Sequence, residues 1–440
     1  MSTDNGPVSL RRLLLFFIPM GISVLLINLS HIIINGTLAR SDNPEIILAG
    51  YALAMSLLTV TEKPAVLFRQ TCSALVRDRI SFRAVRHVSF YVFGASIVFG
   101  GLIAYTPVGH WIFGGAYGAD TAVEQQAIHA YAALMFLSVF SGIRCLYQGV
   151  IIYKMKTRWL TIAMVFRLGA MFLLSQYFLH VGVTGAIQGT IIFVFGMMIE
   201  ALLSWWESSR LLKQMPEKDE ECETIRPKQV AAFYNPLLYS SLVVVWTLPI
   251  LNALLGTTER GTLAVASFAV AGSLMNLVLG FFTYFHQIAL LFVKKNPAIV
   301  RKFTLTLGFV PPLLLTLIAF TPIGGWMFSH VLGVKDELLT SCIHALRGFL
   351  PFVLVFPWLD TLNGIVMAHG ETKLMFGSQI SNAIFTAATV FLLVLLLPSW
   401  NGVLGSIAQS GGVVAELLFL YWLFRRSHRT INILKQENPA

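Results

Sequence analysis

Eight ionisable residues, Glu62, Lys63, Arg144, Arg167, Glu200, Arg347, Asp360 and Glu416, sit in stretches of this 440-residue chain that are otherwise strongly apolar. A formal charge near the centre of a bilayer costs several kcal/mol unless it is paired or wetted, so each is a candidate for binding or coupling. Arg144 and Arg347 fall on the fourth and tenth apolar segments, and Arg167 on the fifth. A guanidinium is a permanent cation whose five donors fit carboxylate or phosphate oxygens, so arginines facing a common cavity predict an anionic solute. Their competing role is pairing with Glu200, Asp360 or Glu416. Phe68-Arg-Gln70 recurs as Phe285-His-Gln287, which places Arg69 opposite His286 and Gln70 opposite Gln287 in a repeat and predicts a two-part site. The alternatives are an Arg69 that snorkels to the surface and a His286 merely tolerated at a helix end. Asn28, His31 and Asn35 share one helical face at i, i+3 and i+7, a polar face that would line water.

The candidates for coupling are Asp360 and Glu62. Asp360 has no acidic mate in the repeat, Cys145 standing at that position, and reads as a lone buried acid able to carry a proton or sodium ion. Glu62 and Lys63 precede Pro64, where a lost backbone bond offers polar groups to a cavity; the alternative is a mutually neutralising pair. Glu200 and Glu416 match each other and read as internal hydrogen-bond acceptors. No residue has a catalytic or metal-ligating pattern: there is no GxxxxGK[ST] loop, no HExxH and no GxSxG elbow, and no cofactor is implied.

The elements that must position these residues are membrane helices. Hydrophobic residues make up 56% of the chain and charged ones 12%, against roughly a quarter charged in ordinary globular proteins. Mean hydropathy is +0.74. Apolar runs predict spans at about 13–35, 46–68, 88–106, 125–150, 159–180, 184–206, 232–255, 262–293, 303–322, 341–368, 375–397 and 401–424, the last two separated at Pro398-Ser-Trp-Asn-Gly402. The second half repeats the first with a displacement of 215 to 217 positions. Ala104-Tyr-Thr-Pro-Val-Gly-His-Trp-Ile-Phe113 returns as Ala319-Phe-Thr-Pro-Ile-Gly-Gly-Trp-Met-Phe328, and Trp205-Trp206 returns as Tyr421-Trp422. The fold class is therefore an all-α polytopic membrane protein of two six-helix bundles. An even number of spans per repeat inserts both the same way up, with a pseudo-twofold axis along the membrane normal and a substrate path between them.

Three regions follow: an N-terminal lobe 1–206, a charged linker 207–230 and a C-terminal lobe 231–440. Most of the 31 Lys and Arg lie at the termini and on even-numbered connections, with Arg40, Arg260 and Lys335 on the other side, so both termini and the linker are expected in the cytoplasm. The formal charge of +10 is then mainly topological, and no nucleic-acid partner is implied. The first apolar run is too long for a signal-peptide core. Cys72, Cys145, Cys222 and Cys342 show no CxxC spacing and read as free thiols.

Several segments carry a resemblance to a known superfamily. They are Phe17-Ile-Pro-Met-Gly-Ile22, Leu48-Ala-Gly-Tyr-Ala-Leu-Ala-Met-Ser-Leu57, Pro64, Phe68-Arg-Gln70, Gly182-Val-Thr-Gly-Ala-Ile-Gln-Gly189, and Leu332-Gly-Val334 with Arg347. With a proline early in the first helix of each lobe, the chain resembles the multidrug and toxic compound extrusion (MATE) superfamily, and within it the progressive ankylosis proteins. That resemblance implies export of small organic or phosphate-bearing anions such as pyrophosphate, ATP or citrate, and the repeat architecture adds the expectation of a monomeric, alternating-access transporter of the cell membrane. Bacterial drug exporters of the superfamily carry an acid in the first helix, where this chain has Asn28, His31 and Asn35. The departure weighs against proton- or sodium-coupled cation extrusion, which remains an alternative through Glu62 or Asp360, as does flipping of a lipid-linked sugar.

Overall fold

A computed structural model describes residues 9–220, 224–332 and 334–437, so Cys222 and Gly333 lie outside the described residues. Twelve helices are long and apolar enough to cross a membrane. We number them α1 Leu10–Leu38, α2 Pro44–Thr61, α3 Arg79–Tyr105, α4 Thr121–Tyr153, α5 Arg158–Val181, α6 Ala186–Lys213, α7 Pro227–Gly256, α8 Gly261–Phe292, α9 Pro297–Phe320, α10 Glu337–Ala368, α11 Thr372–Leu396 and α12 Gly402–Ser427. No strand occurs among the described residues. The chain is an all-α polytopic membrane protein, as its apolar runs predict.

The chain forms two compact units, one of Ile18–Leu238 and one of Met1–Phe17 with Tyr239–Ala440. In the first, α4 is the most buried of the twelve helices and packs against α2, α3 and α6. Its core joins Ile34, Tyr51, Leu58, Tyr131, Leu134, Met171 and Phe193. In the second, α12 packs against α8, α10 and α11 around Leu255, Phe268, Leu315, Phe349, Val353 and Leu404.

Proline and local polar sequence break the helices where side chains of interest lie. After Thr61 the run expected as one helix to 68 is interrupted, continuing as Lys63–Val66 and Phe68–Leu75, because Pro64 has no N–H to give the preceding turn. The eighth span is also broken, here without a proline, into Gly261–Gly280 and Phe285–Phe292. The repeated tripeptides Phe68-Arg-Gln70 and Phe285-His-Gln287 thus open matching eight-residue segments. The Thr-Pro-x-Gly turns also match: Thr106 Oγ1 accepts from Val108 N and Thr321 Oγ1 from Ile323 N, both at 3.3 Å, and each turn leads into a short π-helix. Trp205, Trp206, Tyr421 and Trp422 are exposed, with Arg210 over Trp206, Arg425 over Tyr421 and Arg426 over Trp422, the arrangement of interfacial anchors. Cys72, Cys145 and Cys342 are buried free thiols.

Candidate functional site

In the Ile18–Leu238 unit a carboxylate collects cations from three helices. Gly196 on α6 makes this possible: a Cβ there would lie 2.4 Å from Met171 Cγ and 3.2 Å from Arg167 Cγ, so only bare backbone lets α5 close on α6. Arg167 Nη1 then donates to Glu200 Oε2 at 2.8 Å, and Gln148 Nε2 to Oε1 at 2.9 Å. Arg144 Nη1 reaches both oxygens at 3.3 Å. Arg144 is also tied to the helix break: its Nη2 donates to Ser141 Oγ at 3.2 Å, and Ser141 donates to Glu62. Glu62 turns to Ser141 and forms no ion pair with Lys63 among the described residues. Arg69 is half-buried with Nη2 3.5 Å from Cys145 Sγ, rather than extended to the surface, and lies within electrostatic range of Glu200.

Three guanidiniums therefore face two carboxylates, Glu200 and Glu62, and of these five groups Arg144, Arg167 and Glu200 are buried. Arg167 is 1% exposed, and its Nε and Nη2 have no hydrogen-bond acceptor among the described residues. Its plane rests on the Phe193 ring at 5.1 Å, and His31 packs against the same ring at 5.4 Å. Buried donors left without acceptors are costly, and the cost falls when oxygens of a bound anion satisfy them. On α1, Asn28 and Asn35 are exposed while His31 is half-buried.

The equivalent region of the other unit has the opposite character. Gly364 on α10 brings α8 close, since a Cβ there would lie 2.3 Å from the His286 carbonyl oxygen. Asp360 consequently accepts from the His286 backbone N at 2.9 Å and sits 3.0 Å from its Nδ1. The expectation of a lone Asp360 is corrected: the helix break at 281–284 turns His286 onto it. Gln287 is fully buried beside His286, its Nε2 3.3 Å from the ring Nε2. Glu416 accepts from Gln379 and from Asn382 Nδ2, the latter at 2.6 Å, and feels the charge of Asp360. No arginine or lysine pairs with Glu416 or Asp360 among the described residues.

Arg347 joins neither cluster. It is exposed, donates from Nε to the Ala319 carbonyl at 3.1 Å and lies over Phe320 at 4.8 Å. Arg144 takes the pairing expected as its competing role, since Glu200, Ser141 and Cys145 all engage it. Ser141, Gln148, Gln379 and Asn382 were not singled out by sequence. Gln148 stands one helical turn after Arg144, and that i, i+4 spacing was the available signal.

Comparison with known proteins places this geometry. The family model of the progressive ankylosis protein (ANKH) matches residues 6–203 and 230–405. No curated protein sequence matches the chain. Among solved structures, a MOP superfamily transporter from Pyrococcus furiosus, described as having a binding pocket of reverse polarity that suggests a different function, is 17% identical with a TM-score of 0.74, covering 95% of each chain. A MATE protein in a bent conformation is 18% identical with a TM-score of 0.75, covering 98% of this chain and 97% of that one. An outward-facing multidrug resistance MATE family transporter of the MOP superfamily is 17% identical with a TM-score of 0.73, again over 95% of each chain. These likenesses match the twelve-helix architecture, and the family model covers most of the sequence. The chain is a multi-pass membrane protein with the fold of these MATE and MOP transporters, and it belongs to the progressive ankylosis protein family.

Proposed function

We propose that the chain is a secondary transporter that exports a small organic or phosphate-bearing anion, of the citrate, pyrophosphate or ATP kind, across the cell membrane. The observation that carries the reading is the guanidinium cluster of Arg69, Arg144 and Arg167, with buried Arg167 donors open to an acceptor. Glu200 balances the empty cluster, and solute oxygens take Arg167 Nε and Nη2 as the solute binds. His31, with Asn28 and Asn35 on the same helix, supplies the polar wall of this path, and Arg347 is a further cation for the solute. Transport follows rocking-bundle alternating access by a monomer whose termini lie in the cytoplasm. The basic residues on even-numbered connections support that orientation. A tag near Glu217 is then protected in intact cells, and external labelling there would reverse the topology.

Coupling is assigned to Asp360 with His286 and Gln287, the carboxyl and imidazole exchanging a proton within hydrogen-bond distance; Glu62, bonded to Ser141, is the second candidate. The carboxyl-rich cluster also favours a second reading, a proton- or sodium-coupled antiporter of cationic drugs. One experiment separates the two: proteoliposomes loaded with radiolabelled citrate, pyrophosphate or ATP, or with a cationic dye, are followed with and without proton and sodium gradients. Anion efflux that falls at least about tenfold in Arg167→Ala, a loss of roughly 1.4 kcal/mol, supports the first reading. Dye movement without anion movement, abolished by Asp360→Asn, replaces it with the second.

A further inference from the structure

Where α11 turns into α12, within the unit of residues 239–440, a cleft of about 330 Å³ opens between α10 and the turn 398–401. Ser341, His344 and Arg347 line it from one side, spaced i, i+3 and i+6 on one face of α10, and Ser399, Trp400 and Asn401 line it from the other. None of these lining residues is acidic. The bond from Arg347 Nε to Ala319 and the Phe320 ring beneath its plane fix the guanidinium, leaving both terminal nitrogens without a hydrogen-bond partner among the described residues. The hydroxyls of Ser341 and Ser399 and the His344 imidazole likewise have no such partner among them.

The turn opposite is held in an uncommon conformation. Asn401 has φ 47°, in the left-handed region that a residue with a Cβ rarely adopts, at a cost of about 1–3 kcal/mol. Gly402 follows at once and begins a helix running to Glu437, so the first N–H groups and the positive dipole end of a long helix lie beside the cleft. A fixed guanidinium, an imidazole, two hydroxyls and a helix start converge on one cavity whose lining carries no acidic side chain. Oxyanions of phosphate or carboxylate type satisfy such a donor set.

We propose that this cleft is a second anion site, separate from the arginine cluster around Glu200, that takes a phosphate- or carboxylate-bearing solute at the end of the transport path away from the termini. The proposal rests on the anion-export reading for the identity of its occupant. The cleft's shallow, exposed character suits a site where solute is released, while the enclosed Arg167 cluster suits capture.

The test is titration calorimetry of inorganic pyrophosphate into the full-length protein in nanodiscs of neutral phosphatidylcholine. Wild type is expected to show two classes of site. Arg347→Ala combined with His344→Ala removes one class, and Arg167→Ala removes the other. Asn401→Gly relaxes the turn without removing a core side chain, so it keeps the fold and weakens the same class that the double variant loses, by about tenfold. An isotherm unchanged in both the double variant and Asn401→Gly overturns the proposal. Nanodiscs with added phosphatidylglycerol identify the source of the oxyanion: loss of the Arg347-dependent class there assigns the cleft to a lipid headgroup, and its persistence assigns it to the free solute. Failure of the export reading is distinct. Arg347-dependent binding with no anion efflux from proteoliposomes refutes export and leaves this site standing, whereas efflux with no Arg347-dependent binding does the reverse.

Discussion

The two units bury a glutamate at matching places on their last helices and stabilise it by opposite means. Glu200 is met by Arg144, Arg167 and Gln148; Glu416, 216 positions later, is met by the amides of Gln379 and Asn382. Arg144 stands beside Glu200, whereas Asp360, the repeat mate of the adjacent Cys145, lies within electrostatic range of Glu416, so one glutamate neighbours a cation and the other a second carboxyl. A neighbouring contact is kept while its chemistry changes: Arg69 approaches the Cys145 thiol, and His286 approaches Asp360, with Cys145 and Asp360 in repeat register. Repeated packing therefore conserves which positions touch, and leaves the sign of the charge free to diverge. One unit becomes guanidinium-rich and the other carboxyl-rich, which supports the proposed division between holding an anion and coupling its movement to a cation.

The largest expected effect tests that contrast directly. Glu200→Gln strips the counter-charge from two buried guanidiniums and is expected to destabilise the protein by about 3–5 kcal/mol, the usual consequence of breaking a buried ion pair. Glu416→Gln leaves an amide among amides and costs about 1 kcal/mol, the value of a neutral hydrogen bond. Thermal unfolding of the two variants in one detergent measures both. Equal losses would break the comparison.

Transport kinetics sharpen it next. Arg167→Ala is expected to depress anion efflux at least about tenfold under every imposed gradient. Asp360→Asn is expected to abolish proton-driven accumulation yet keep exchange of solute for solute; undiminished accumulation would shift coupling to Glu62 or leave the protein a uniporter. The glycines act one step removed. Gly364→Val forces α8 off α10 and parts His286 from Asp360, so it reproduces the Asp360→Asn defect with about 1–3 kcal/mol of overpacking cost added. Stability loss with normal coupling in Gly364→Val would mean that the His286–Asp360 contact is only packing.

Much of this architecture was legible in the sequence because bilayer length, proline and the repeat are local or self-referring signals. Twelve apolar runs gave twelve helices, and the tripeptides Phe68-Arg-Gln70 and Phe285-His-Gln287 opened matching segments. Partnerships were not legible. Asp360 reads from the sequence as a lone acid, whereas its partner arrives from α8 across a glycine. The pairing of Arg144 with Glu200 appeared only as an alternative, since the residue types are the same whether an arginine faces solute or counter-ion. Reading such a pair needs the helix packing that Gly196 permits, which no spacing rule encodes.

The smallest effect lies at the helix starts, where the two units again differ by one charge. Asp78 caps α3, its Oδ1 accepting from Ser81 N at 2.7 Å, and Asn296 caps α9, its Oδ1 accepting from Ile299 N at 3.2 Å. Both satisfy the same otherwise unpaired N–H, a service worth about 1 kcal/mol. Asp78 also receives Asp219 N at 2.9 Å, which ties the 213–220 connection to α3. Burial pushes the Asp78 carboxyl up, but the backbone N–H groups of Ser81 and Asp219, the Ser81 hydroxyl and the Ile80 N–H outweigh it and hold the group below the usual carboxylate range. Because the folded value is the lower one, the contribution is complete above the unfolded value of about 4 and is lost as pH falls through the folded value. Wild type should exceed Asp78→Asn in melting temperature by a constant margin at pH 5 to 7, and the margin should shrink below about pH 4. Asn296→Ala, with no titrating group to lose, should lower the melting temperature by an amount independent of pH across the same range. Parallel acid profiles for wild type and Asp78→Asn would show that the charge at this cap contributes nothing beyond the hydrogen bond that asparagine already supplies.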